Sequence, residues 1–311
     1  MTELRQPDYM RLLTPEAIES LSKLQLLARG VVEGLVAGSH KSPYKGFSSE
    51  FVEHRQYVAG DDVRDLDWRV YGKSDRYYVK QYEEETNLRA TILLDASGSM
   101  RYAGDAAEQP DGNSLSKFSY AQFLAASLAY LLAHQQDAVG LVTMDHRIRR
   151  HIPARGRPGH LHVLLEQIHA TTPGEESKLA PILHDIAESI HRRGLVIIIS
   201  DFFDNIQEIL NALHHFRYRK HEVIVMHIMA DEELSFPFEG WSDFRDLEIM
   251  GRNFELDPRS VRAGYLNGVR DFIAALEGGC GRMQADYVQF NTRQPYVGAL
   301  SNYLSRRQVQ I

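Results

Sequence analysis

The chain has 311 residues, 43% hydrophobic and 25% charged, an ordinary balance for a globular protein able to bury a core without a metal or disulfide. Its single cysteine, Cys280, excludes an intrachain disulfide framework and a thiolate cluster, and reads as a small buried apolar residue. A formal charge of −7 argues against general nucleic-acid binding but leaves room for a local basic face.

The opening "MTELRQPDYMRLL" has no apolar run like that of a signal peptide, and "FLAASLAYLLA" at 123–133 is too short to span a bilayer. A cytoplasmic location is the expectation. Thr14-Pro15 supplies a capping hydroxyl and a proline suited to the first helical turn. Apolar residues from Ile18 to Leu35 then recur at helical spacing, predicting a helix over about 15–36. "AGSHKSPYKGFSSEF" reads as loop with a short strand. The following block, "HRQYVAGDDVRDLDWRVYGKSDRYYVKQYEEET", is dense in charge and aromatics and too polar to form a core alone. It is expected to lie against the next domain or against a partner, with "YYVKQY" as a strand.

From residue 88 apolar strands alternate with helices: strands "LRATILL", "AVGLVTM", "GLVIIIS" and "HEVIVMHIM", and helices over about 116–135, 160–170, 178–191 and 204–216. "RIRRHI" returns beside the second strand as a hairpin, and "GDAAEQPDGN" is a surface insertion. Continuous apolar strands between helices indicate a sheet covered on both faces. The tail adds a helix over about 259–277, a strand "ADYVQF" and a last helix "VGALSNYLSRR".

The candidate chemistry lies where strands end. In an open α/β sheet, ligands bind outside the carboxyl ends of the strands. "ATILLDASGSM" leaves Asp95, Ser97 and Ser99 at alternate positions there, and "LVIIISD" ends in Asp201. If the two strands are neighbours, an all-oxygen cluster forms that suits Mg²⁺, with Mn²⁺ or Ca²⁺ as alternatives, rather than zinc or copper. The competing reading is that a serine caps a helix and Asp95 accepts backbone N–H bonds.

"DASGSM" resembles the Asp-x-Ser-x-Ser motif of the von Willebrand factor A-like domain, whose metal-ion-dependent adhesion site holds a divalent ion. The resemblance assigns Asp95, Ser97, Ser99 and Asp201 to that ion. It places Ser177 where a threonine is usual, with Thr172 as substitute. The blocks "YVAGDDVRDLDWRVYGKSDRYYVKQYEEE", "DAVGLVTM", "ARGRPGHLHVLLEQI" and "FRDLE" resemble a bacterial family of unknown function, number 58 among such domains, over about residues 40–305. The resemblance implies an adaptor or chaperone-like role with a MoxR-type AAA+ ATPase, the ion bridging to an acidic side chain of a protein partner.

Two alternatives stand beside that role. One is a metal-dependent hydrolase such as a phosphoesterase, which needs a further acid or base near the ion. "DASGS" lacks the second aspartate of an aspartyl-phosphate enzyme, and no Gly-x-Ser-x-Gly elbow, HExxH or phosphate-cradling GxxxxGK[ST] occurs. The other is nucleic-acid binding through Arg147–Arg157, which reads more cheaply as a charged hairpin edge guarded against pairing. Asp61, Asp62, Arg64, Asp67, Trp68, Arg149 and Arg150 are the candidate partner-binding residues. Trp68 reads first as a packing anchor between arm and core, and Asp204 as the opener of the helix after Asp201. The expectation is an α/β protein with an open, doubly wound, mostly parallel sheet of the von Willebrand factor A-like type. Residues 1–87 are expected to form the N-terminal helix and arm, 88–235 the core, and 236–311 a C-terminal extension packed on it.

Overall fold

The computed structural model describes residues 8–24, 49–57, 66–74, 76–84, 88–104, 115–174, 178–248 and 251–309. They divide into two compact units, one drawn from 1–38 and 88–311, the other from 39–87. Helix α1, residues 15–24, begins where Thr14 accepts a hydrogen bond from the Ala17 N–H at 3.2 Å; the rest of the predicted helix lies outside the described residues.

In the smaller unit, β1 (Ser49–Gln56) pairs antiparallel with β2 (Tyr78–Glu84), and α2 (Trp68–Ser74) lies between them in sequence. Tyr71 stacks on Tyr77 at 4.6 Å, which ties α2 to the approach of β2.

The larger unit is an α/β fold with a six-stranded, mostly parallel sheet. Its strands are β3 (Arg89–Asp95), β4 (Ala138–Met144), β5 (Ile148–Arg155), β6 (Leu195–Ser200), β7 (Glu222–Met229) and β10 (Asp286–Asn291), in the order β10-β7-β6-β3-β4-β5. Only β5 runs antiparallel, as the outer half of the predicted hairpin. Period-two alternation divides the strands between two cores. Ile92, Leu94, Ile197 and Ile199 face α3 (Lys117–His134), α4 (His160–Ala170) and α9 (Tyr296–Val309). Leu93, Val196 and Ile198 face α5 (Leu179–Ser189), α6 (Ile206–Tyr218) and α8 (Pro258–Arg282). After β7 come a short helix α7 (Asp231–Ser235) and a two-stranded hairpin of β8 (Ser242–Arg245) and β9 (Asn253–Leu256).

Gly140 sits in β4 because β5 passes too close for a side chain. A Cβ there would lie 2.7 Å from the Ala154 nitrogen and 2.8 Å from the Ile152 oxygen, both backbone atoms. Gly140→Ala is expected to cost about 1–3 kcal/mol by forcing these strands apart, measured by denaturant unfolding.

Candidate functional site

The chain leaves β3 for β4 on one side and later returns to β6 on the other, so the β3–β6 boundary is the point where strand order reverses. Carboxyl ends of strands at such a point form a crevice. Leu94 pairs with Ile199, which brings Asp95 opposite Ser200 and puts Asp201 one residue beyond. The two predicted carboxylates therefore share one rim.

Asp95 is buried. One carboxylate oxygen accepts the Ser97 N–H at 2.8 Å, and the other accepts the Ser200 hydroxyl at 2.5 Å. The Ser97 and Ser99 hydroxyls are 3.1 Å apart, where the chain enters the turn Ser99–Arg101. No side chain caps that turn, while α3 takes its cap from Ser116. The serine-capping reading fails here, although Asp95 does hold a backbone N–H. Burial, then repulsion from Asp201, push the Asp95 carboxyl up to about 7, with the Ser200 and Ser97 bonds opposing.

Asp201 is also buried, and Phe202 after it adopts a left-handed backbone, φ 55°, rare for a bulky residue. Three hydrogen bonds hold the bend: Phe202 N–H to Ser200 Oγ at 2.9 Å, Phe203 N–H to Asp201 Oδ1 at 3.3 Å, and Asp204 N–H to Phe202 O at 2.8 Å. Such strain collects at functional sites.

Asp201 is not the free ligand that the motif implies. Its Oδ2 accepts a hydrogen bond from Lys117 Nζ at 2.7 Å, and the same ammonium reaches Glu233 Oε1 at 2.6 Å. Lys117 is fully buried and lies 4.6 Å from the centre of the Phe203 ring. Burial works to discharge it, but Asp201 and Glu233 together hold its pKa above the ordinary lysine value. Glu233 itself is pushed up by burial and by Asp201, against the pull of Lys117.

A fourth carboxylate, Glu248 after β8, is raised in pKa by burial and then by repulsion from Asp201. Of these four, Asp201 and Glu233 are paired with the Lys117 ammonium. Among the described residues no group of three or more His, Cys, Asp or Glu side chains is arranged as a metal site. An adhesion-type site needs only two carboxylates beside its hydroxyls, so its donor set is tested by charge and oxygen content. On those terms Asp95, Ser97 and Ser99 fit a hard cation, and Asp201 fits while sharing its charge with Lys117.

The other sequence candidates are scattered. Ser177, Asp61, Asp62 and Arg64 lie outside the described residues. Thr172 is exposed, on a loop tied to the rim by Gly174 N–H to Ala96 O at 2.6 Å and Arg101 to Pro173 O at 3.1 Å. Asp67 is buried and accepts the Arg69 and Val70 N–H groups at 2.9 and 3.3 Å, so it caps α2 instead of facing a partner. Trp68 is 63% exposed. Arg149 is bound to the buried Asp145 and to Thr172 O, each at 2.5 Å, which makes it a brace for the Thr172 loop and not a free docking group. Arg150, Arg155 and Arg157 are exposed on and just beyond β5, the sheet's outer strand, where charge deters edge pairing. Asp204 does not open α6. Asn205 does, accepting the Gln207 and Glu208 N–H groups, while Asp204 takes the Ala180 N–H at the start of α5.

The family model described as "Protein of unknown function DUF58" matches residues 53–273, a span that contains every residue of this rim. The chain belongs to this family. Uncharacterized proteins of Mycobacterium tuberculosis and Mycobacterium bovis are 26% identical to it over 303 residues, covering 94% of this chain and 90% of theirs. Among solved structures, an aerotolerance-related membrane protein from Bacteroides fragilis aligns with a TM-score of 0.48 and 14% identity, over 72% of this chain and 100% of that one. BatB from Bacteroides thetaiotaomicron aligns at 0.46 and 16%, over 71% and 98%.

In this DUF58 chain the rim residues that sequence reasoning missed are Ser200, Lys117, Glu233 and Glu248. Lys117 carried a usable signal: a cation in the first turn of a helix opposes the helix dipole and needs carboxylate partners to be there. Glu233 and Glu248 looked like ordinary surface acids, and nothing local marked them. Among the described residues no helix is long and apolar enough to cross a membrane.

Proposed function

We propose that the protein is a non-enzymatic interaction module whose β3–β6 rim holds a divalent cation, Mg²⁺ in the first instance, and engages an acidic residue of a protein partner. The observation that carries this reading is Asp95, a buried carboxylate beside two hydroxyls on the strand-end rim it shares with Asp201. Asp95, Ser97, Ser99 and Asp201 would hold the ion, with Ser177 or Thr172 from the later loop. When bound, the ion supplies positive charge and an open coordination position for an incoming carboxylate oxygen. The chain's own residues keep the donors in place: Ser200 orients Asp95, and the bend at Phe202 aims Asp201.

Binding is favoured over hydrolysis because Lys117, seated against Asp201, is held charged between two carboxylates and is a poor proton acceptor. The family resemblance makes a MoxR-type AAA+ ATPase the first partner to try. Affinity capture of that ATPase with the full chain should succeed in Mg²⁺ and fail in chelator and with Asp95→Ala. Capture that survives both treatments counts against a bridging ion.

A further inference from the structure

We infer that the groove between β5 and α4 is a second docking surface, which takes an extended acidic segment of a protein partner with its carboxylates set against Arg150 and Arg155. It stands apart from the β3–β6 rim and needs no cation.

The register puts those two arginines on one side of the sheet. Arg150 lies opposite Thr143, Ile152 opposite Leu141 and Arg155 opposite Val139. Residues directly opposite in an antiparallel pair share a face, as do alternate residues along β4. Val139 and Leu141 belong to the core that faces α3 and α4, so Arg150, Ile152 and Arg155 lie on the α4 side. A regular strand could not place Ile152 and Arg155 together, because an odd number of steps separates them. The register break opposite Gly140 supplies the extra residue and re-aims Arg155.

With His160 and Val163 of α4, these side chains line a groove of about 490 Å³. On a chain of formal charge −7 its sign is reversed: among the described residues no Asp or Glu lines it. Arg149, also in the lining, is committed to Asp145 and Thr172 O. Arg150 and Arg155 are exposed and are paired with no carboxylate among the described residues. Ile152 is half-buried and Val163 is 46% exposed, which leaves an apolar strip beside the two free charges. His160 is fixed there, its Nε2–H donating to Val139 O at 2.8 Å.

Charge complementarity names the occupant. β5 is the sheet's outer strand, and the charge that deters another sheet edge draws an acidic strand. Pro153 and the register breaks interrupt that edge, so side chains, more than a continuous ladder, would hold the partner. Arg150 and Arg155 are separated by roughly 15 Å of strand, so the partner's acids fit when about five residues apart with an apolar side chain between them. Nucleic acid suits the groove less well. No Phe, Tyr or Trp lines it for stacking among the described residues, and its two free guanidiniums neutralise few phosphates.

The test is fluorescence anisotropy of a labelled peptide of about twelve residues, mostly Thr, with Val between two Glu about five residues apart. It is titrated with the full chain in chelator at low salt. The peptide should bind, weaken as salt rises, and fail to bind when Gln replaces both Glu. Arg150→Glu and Arg155→Glu should each weaken binding roughly fivefold, and the double variant further, because each exposed pair contributes modestly. Both side chains are exposed, and thermal melting checks that the variants stay folded. Asp95→Ala should bind the peptide as wild type does. Absence of binding, or binding that the reversals leave unchanged, would overturn the inference and leave the rim reading standing. Binding seen only in Mg²⁺ and lost in Asp95→Ala would place the acid at the rim and overturn it as well. An oligonucleotide bound more tightly than the peptide, and weakened by the same reversals, would assign the groove to nucleic acid instead.

Discussion

Lys117→Met is expected to destabilise the protein by about 3–5 kcal/mol, the usual cost of removing one partner from a buried ion pair. In a protein of this size that is a fall in Tm of roughly 5–8 °C. The loss has a specific cause. Asp201 and Glu233 are both bound to the one ammonium, at 2.7 and 2.6 Å, and both would be left charged or forced to take protons in a dry setting. Adding Glu233→Gln to Lys117→Met should recover part of the loss, because groups in one network do not contribute additively. Mg²⁺ should raise the Tm of Lys117→Met more than that of wild type, since the variant rim is one charge more negative. Thermal unfolding in chelator and in Mg²⁺ measures all three. A Lys117→Met protein that melts with wild type would mean that the buried pair does not form.

Asp95→Asn should stabilise the metal-free protein at neutral pH and do so less when the site is filled. In chelator, native Asp95 holds a proton that the unfolded chain has released anywhere between its ordinary value of 3.8 and about 7. Its contribution to stability is therefore fully present below the unfolded value and lost as pH rises through about 7. Asparagine reproduces the neutral form and can still accept the Ser97 or Ser200 hydrogen bond. At pH 7.5 without metal the variant should be the more stable protein, by up to about 4 kcal/mol at about 1.4 kcal/mol per pKa unit. At pH 4 the difference should shrink. In Mg²⁺ the gap should narrow, because a ligand at a hundredfold its Kd stabilises the binding-competent protein by about 2.7 kcal/mol. Urea titrations at the two pH values, with and without Mg²⁺, give all four numbers. A variant that is less stable than wild type at pH 7.5 in chelator would mean that Asp95 is ionised and held by its two donors.

Much of the site's frame was legible because it depends on local chemistry. Apolar runs of five to seven residues closed by Asp95 and Asp201 can only be strands buried on both faces with a polar end. The Ser-rich turn and the helix beginning at Lys117 follow from short-range signals of the same kind. Asp67 misled for a related reason: an acid beside an aromatic has the same local appearance whether it caps a helix or faces a partner.

From its sequence alone, this protein's alternation of strands and helices, the Asp-Ser-Ser turn and the identity of two rim carboxylates were determined, since periodicity and turn chemistry act over a few residues. Tertiary structure alone decided that β3 and β6 are neighbours and that Lys117 lies between Asp201 and Glu233. The two Lys117 contacts join residues 84 and 116 positions apart in the chain. At such separations a charge finds its partner by how the whole core packs, and no local pattern records which one it will be.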